Sequence, residues 1–183
     1  KTNTLQPWGS VGASDLELER AEALVHAGAD VLVLDLAMGN SSVAVRQFKR
    51  LREKFPNTAV IVSDFCHGSQ LDAFITHAGS SPTAFTVGMG VGSSCKTRAV
   101  TGIGYPSVSA ILSCVDGGRN NIILNGGIRN SGDWCKALAL GVRATILGRK
   151  FAACEESGAK KYRFNGLQNT YEEYMPGIRN FPP

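Results

Sequence analysis

The 183-residue chain is 43% hydrophobic and carries a formal net charge of +4, enough apolar material for one well-buried core and too little length for two ordinary domains. Its basic residues are scattered, the densest cluster being Lys49 to Lys54, so the electrostatic footprint of a nucleic-acid or membrane-surface binder is missing and a small anionic ligand suits the charge better. Five cysteines with no CxxC pair and no nearby histidine cluster, no apolar segment of membrane-spanning length and no signal peptide argue against a zinc site or disulfide framework and for a reducing, cytoplasmic setting.

The start at Lys1 rather than Met is that of a fragment or a processed chain. Trp8 to Gly12 predicts a short strand, and Ser14-Asp15 opens a helix whose Leu16, Leu18, Ala21, Leu24 and Val25 recur at helical spacing until Gly28. Ala29 to Leu36 is an apolar run broken only by Asp30 and Asp35, the pattern of a strand covered on both faces of a parallel sheet. Val43 to Phe55 predicts an amphipathic helix with Val45, Phe48, Leu51 and Phe55 as its stripe, ended by Pro56-Asn57. Thr58 to Ser63 reads as a strand, Ser69 to His77 as a helix closed by Gly79, and Ala84 to Val87 as a strand running into a glycine-rich loop.

That loop, Gly88 to Pro106, is followed by a helix over Ser107 to Val115, a strand over Asn121 to Leu124, the turn Asn125-Gly126-Gly127 and a helix over about Ser131 to Leu140. Gly141 closes the helix, Val142 to Leu147 is a further strand, and Gly148-Arg149 leads into a short segment ending near Cys154. Alternating strands and helices with six strand candidates permit an open doubly wound sheet or a (β/α)8 barrel. A complete barrel takes ~250 residues, about two units more than this chain holds. In either architecture Asp35, the Gly88 loop, Asn125 to Gly127 and Gly148-Arg149 fall at the C-terminal ends of strands, where ligands sit.

Glycines 126, 127 and 148 lie at strand-to-helix junctions, where backbone N–H groups can meet a phosphate; each is an ordinary turn when taken alone, and their occurrence at successive strands favours the phosphate reading. A free cysteine is most often a buried small hydrophobe. Cys95 instead stands among Ser93, Ser94, Lys96, Thr97 and Arg98 in a glycine loop, surroundings that favour a thiolate and a nucleophile. Cys66, Cys114, Cys135 and Cys154 sit in or beside regular elements and read as structural, and His26, His67 and His77 read as surface or helix-end residues.

Gly90-x-Gly92-Ser93-x-Cys95-x-Thr97, Asn125-Gly126-Gly127-Ile128, the helix end Lys136 to Gly141, Leu147-Gly148 and Glu156-Ser157-Gly158 together resemble the IMP dehydrogenase and GMP reductase family over nearly the whole chain. Thr97-Arg98, Thr101 to Pro106 and Leu34 to Gly39 look more like GMP reductase. The resemblance implies a (β/α)8 barrel, here a partial one of about six βα units in a single catalytic domain. It implies that Cys95 attacks C2 of the GMP purine and expels ammonia, that NADPH reduces the resulting thioimidate to give IMP, and that Thr97 assists proton transfer.

By the same resemblance Ser93, Asn125, Gly126, Gly127, Gly148, Arg149, Gly166, Leu167 and Gln168 match nucleotide-binding positions, and Asp35, Leu36, Ala37, Met89 and Gly90 match the cofactor side. The carbonyls of Gly90, Gly92 and Cys95, with Arg98, match a monovalent-cation (K+) site, and a homo-oligomer, a tetramer in the family, is implied. The chain departs from the pattern in four places. Asn125 replaces an aspartate that accepts hydrogen bonds from the ribose hydroxyls, Gly166-Leu167-Gln168 replaces a Gly-Met-Ser or Gly-Met-Gly stretch, and Arg149 is larger than the Gly or Ser of the pattern. No counterpart of the reductase segment Arg-Ala-Ser-Glu-Gly is present. Two other readings are IMP dehydrogenase, which oxidises IMP with NAD, and a catalytically inactive nucleotide-binding paralogue.

Overall fold

In the computed structural model the described residues are 6–92, 95–154, 156–157, 161–165, 167 and 170–174, with 161–165 and 170–174 described by their backbone. The chain divides into two compact units, Lys1–Ile146 and Leu147–Pro183. The first contains β1 (Trp8–Val11), α1 (Asp15–His26), β2 (Val31–Leu34), α2 (Ser42–Lys54), β3 (Ala59–Phe65), α3 (Gly68–Ala78), β4 (Ala84–Val87), α4 (Thr97–Thr101), α5 (Ser107–Val115), β5 (Ile122–Asn125), α6 (Ser131–Ala139) and β6 (Ala144–Ile146). The second contains α7 (Arg149–Ala152) and an antiparallel pair, β7 (Lys161–Asn165) and β8 (Thr170–Tyr174).

The six strands β1 to β6 pair in sequence order, all parallel, and curl into a partial (β/α)8 barrel. The expected strand and helix alternation is met, with strand ends displaced by at most two residues. Two features went beyond it. A short helix, α4, forms inside what reads as one long loop, and the second unit holds a hairpin where no strand is expected.

Alternation along each strand sends side chains to opposite faces. Leu32, Leu34, Val60, Val62, Phe85, Val87, Ile122 and Leu124 enter the large core shared with the helices, while Val31, Ile61, Ala84 and Ile123 form a smaller cluster on the other face. The large core centres on four rings. Phe74 meets Phe48, Phe65 and Phe85 edge to face with centroids 5.3, 5.7 and 6.1 Å apart, and Phe65 meets Phe85 at 5.2 Å. From α2 the core takes Ala44, Phe48 and Leu51, with Val45 and Phe55 packed at its margin, the stripe expected from the sequence.

Local chemistry explains the helix ends. Ser41 caps α2 by accepting from the Ala44 N–H at 3.2 Å. His67 caps α3: its Nδ1 accepts from the Ser69 N–H at 3.2 Å, and the Gln70 side chain reaches back to the His67 N–H, a reciprocal capping box. That role accounts for His67, while His26 and His77 occupy the last turns of α1 and α3. Gly79 ends α3 in the left-handed conformation at φ 75°. Cys114 is buried and Cys66 half-buried, but Cys135 and Cys154 are exposed, so of the four cysteines read as structural only Cys114 belongs to the core. Among the described residues no helix is long and apolar enough to cross a membrane.

Candidate active site

The polar residues gather where the strands end. Ser10, Asp35, Ser63, Asp64, Thr86 and Asn125 come from β1 to β5 or the positions just after them, and hydrogen bonds join them into two groups. In the first, the Asp35 carboxylate accepts from Ser10 Oγ and Ser63 Oγ, each at 3.2 Å. In the second, Asp64 accepts from Thr86 Oγ1 and from Asn125 Nδ2, the latter at 3.1 and 3.0 Å to its two oxygens.

Asp64 reaches this position through a break in the β3 ladder. Val62 pairs with Phe85 and Phe65 with Val87, so β3 spans three steps where β4 spans two. The extra residue is a bulge, which re-aims a side chain near a strand end; the Ser63–Asp64 peptide is cis. The loop after β2 braces the bulge, because Asp64 N donates to the Leu36 carbonyl at 2.9 Å and Gly39 N donates to the Asp64 carbonyl at 2.8 Å. Gly39 also lies flat on Phe65, where an added Cβ would come within 2.5 Å of the ring. Burial pushes the Asp64 carboxyl above its usual range, the Thr86 and Asn125 hydrogen bonds oppose that, and the Asp35 charge adds to it.

The cysteine loop leaves β4 through Gly88, whose φ of 131° and whose separation of only 2.8 Å between an added Cβ and the Asn125 carbonyl leave no room for a side chain. Gly126 and Gly127 then face this loop: added Cβ atoms would lie 3.4 Å from Gly92 Cα and 3.4 Å from Val91 Cβ. The loops after β4 and β5, separate in sequence, thus pack backbone against backbone. Gly88→Ala is therefore expected to destabilise the protein by ~1 to 3 kcal/mol through strain alone. Denaturant unfolding of the variant checks this, and an unchanged midpoint would remove the close-approach argument.

Cys95 is exposed, and its sulfur lies 3.2 Å from Thr97 Oγ1 at the start of α4. The Thr97 hydroxyl and backbone amide favour the thiolate and hold the Cys95 thiol below its ordinary range, with the Asp64 charge opposing and the Arg98 charge helping. Arg98 fastens the loop from inside. Its Nε donates to the Met89 carbonyl at 2.9 Å and its Nη2 to the Tyr105 carbonyl at 2.5 Å, tying both flanks of the cysteine segment together. Cys66 stands nearby, its thiol hydrogen-bonded to the Met89 backbone, but burial pushes it up and makes it the less reactive sulfur.

Thr97→Val removes one of the two thiolate partners. The pH midpoint for alkylation of Cys95, followed by mass spectrometry of its peptide, is expected below that of an ordinary cysteine in the wild type and to rise in the variant. The sign is that of a depressed acid: the thiolate population persists to lower pH only while Thr97 donates. Identical midpoints in the two proteins would exclude Thr97 as the activating group.

The first unit thus brings together Asp35, the Met89 to Gly92 loop, Cys95, Thr97, Arg98 and Asn125 to Gly127. Leu36 is half-buried and Ala37 exposed in the loop after Asp35. Gly148, Arg149 and Leu167 belong to the second unit, where Gly148 precedes the four-residue α7 and Leu167 is exposed. Ser93, Gly166 and Gln168 lie outside the described residues. Asn125, expected to face the ribose by itself, has its amide nitrogen committed to Asp64.

Asp64 lies just past the strand that the sequence predicts over Thr58 to Ser63, so the strand pattern alone does not single it out, whereas β3 runs on to Phe65. A signal was present: Val31-Leu32-Val33-Leu34-Asp35 and Val60-Ile61-Val62-Ser63-Asp64 share a pattern, an apolar run closed by aspartate. Among the described residues no group of three or more His, Cys, Asp or Glu side chains is placed to hold a metal ion.

A family model described as the IMP dehydrogenase / GMP reductase domain matches residues 2–177. Inosine-5'-monophosphate dehydrogenases of Staphylococcus haemolyticus and Aquifex aeolicus are 39% and 38% identical, over 87% and 88% of this chain and 33% of each relative. A crystal structure of a GMP reductase variant from Trypanosoma brucei in complex with guanosine 5'-monophosphate superposes with a TM-score of 0.78 at 31% identity, covering 91% of this chain and 35% of that one. The chain spans about a third of the length of these relatives.

Proposed function

Since the chain belongs to the IMP dehydrogenase / GMP reductase family, we propose that its site performs the reductase reaction, converting GMP to IMP and ammonia with NADPH. The observation that carries this reading is the Cys95–Thr97 pair, an exposed sulfur whose thiolate is favoured by a neighbouring hydroxyl and amide, set in a loop that packs on Gly126 and Gly127. The thiolate adds to C2 of the purine, and the C2 amino group departs as ammonia with a proton delivered to it, leaving a thioimidate on Cys95. Thr97, in hydrogen-bond reach of the sulfur, holds or passes that proton. The nicotinamide cofactor, when bound, supplies a hydride to C2, after which the sulfur leaves as thiolate.

The donor set suits such a cofactor. The exposed Asp35 carboxylate, fixed by Ser10 and Ser63, accepts from hydroxyl groups such as those of a cofactor ribose, with Leu36, Ala37, Met89 and Gly90 beside it in this assignment. Gly126 and Gly127 would meet the nucleotide, joined in the family pattern by Ser93, Gly148, Arg149, Gly166, Leu167 and Gln168. The carbonyls of Gly90, Gly92 and Cys95 are the oxygen donors a potassium ion takes; Arg98 would shape that loop through Met89 and Tyr105, not bind the ion.

A second reading is favoured by the names of the similar proteins, since the two compared by sequence are IMP dehydrogenases. One experiment separates the two. Loss of NADPH absorbance with GMP supports the reductase, and NADH formation from IMP and NAD supports the dehydrogenase. GMP binding by calorimetry with neither turnover would mean a nucleotide-binding protein that does no chemistry.

A further inference from the structure

The family pattern has an aspartate at the end of β5 that accepts hydrogen bonds from the ribose hydroxyls, and Asn125 cannot supply that charge. A carboxylate stands directly beside it. Asn125 Nδ2 donates to both oxygens of Asp64, and Thr86 Oγ1 donates to Oδ1. A carboxylate only accepts, so the amide nitrogen is the end that faces it, and these bonds use about three of its roughly four lone-pair positions. Among the described residues, the position left is on Oδ2. Asp64 is also half-buried and held through its backbone by Leu36 and Gly39, so its carboxylate is preset and does not wander as a surface charge.

Two carboxylates at this separation would not both ionise at neutral pH. Aspartate at 64 and asparagine at 125 therefore belong together as one charge shared out between two strands. We propose that Asp64 is the ribose-hydroxyl acceptor of the nucleotide site and Asn125 its positioning partner, the charge having moved from β5 to β3. The proposal rests on the nucleotide reading above and deepens it.

Calorimetry on the full chain with GMP and with 2'-deoxy-GMP, alongside thermal unfolding, tests it in four proteins: wild type, Asp64→Asn, Asn125→Asp and the double exchange. A hydroxyl donating to a carboxylate should make the wild type prefer GMP about tenfold. Asp64→Asn should erase that preference and weaken GMP binding about tenfold without lowering the unfolding midpoint, because it removes a charge held out of water. Asn125→Asp should lower both affinity and midpoint by pairing two carboxylates. The double exchange should recover the preference for GMP.

An Asp64→Asn protein that still prefers GMP as strongly as the wild type overturns the assignment, whether or not its midpoint falls. So does a double exchange that binds no better than Asn125→Asp. A wild type that binds GMP but not more tightly than 2'-deoxy-GMP overturns the assignment and leaves the nucleotide reading standing. A wild type that binds no GMP overturns both.

Discussion

Cys95→Ala is expected to lower GMP-dependent NADPH oxidation by ~10⁴-fold or more, to the detection limit of the absorbance assay. The reason is that the proposed reaction is split into two displacements at C2 and only the sulfur makes the first bond. The neighbouring groups make poor substitutes: Thr97 offers a hydroxyl that ionises far outside the working pH range, and the Cys66 thiol, outside the loop, is pushed up by burial. The side chain is exposed, so its removal leaves no cavity, and GMP affinity should stay within about threefold of wild type. Cys66→Ala provides the contrast. It deletes a neighbouring sulfur without a place in the chemistry and should keep turnover near wild type. Turnover surviving in Cys95→Ala, or vanishing only in Cys66→Ala, would move the nucleophile elsewhere.

Phe74→Ala is the substitution expected to damage the fold most, by ~3 to 5 kcal/mol. Phe74 is 1% exposed and is the ring that contacts all three of Phe48, Phe65 and Phe85. Deleting it removes burial and three edge-to-face contacts and leaves a cavity under β3 and β4 that rigid rings cannot fill by small movements. Since domains hold only about 5 to 15 kcal/mol in total, the denaturant midpoint should fall steeply at an unchanged slope. The damage should also reach the site, because Phe65 follows Asp64 directly and supports Gly39 from below. A midpoint shift of less than about 1 kcal/mol would mean that the rings are not the centre of the core.

Much of this molecule is readable from the chain alone. Six strands were expected and six pair in order, because buried parallel strands announce themselves as apolar runs and glycines mark where the intervening helices stop. The cysteine loop was readable for a related reason: glycines, hydroxyls and cations crowded around one thiol describe an environment without reference to anything distant. Other features were hidden. The helix α4 begins at Thr97 within five residues that lack an apolar stripe, so periodicity could not reveal it. The hairpin of β7 and β8 is charged and aromatic in sequence, and its two strands, Lys-Tyr-Arg-Phe-Asn and Thr-Tyr-Glu-Glu-Tyr, are recognised only through their pairing.

Asn125 is the instructive case. By resemblance it is a site residue that has lost a charge. In the structure the charge is there, 61 residues earlier in the chain. By itself the sequence determined the alternation of strands and helices and the end of the sheet at which polar residues collect, since each depends on short-range pattern. The tertiary structure alone decided which polar groups meet. One extra residue in β3 shifts its register against β4, a shift set by pairing between strands, and that shift aims Asp64 at Thr86 and Asn125.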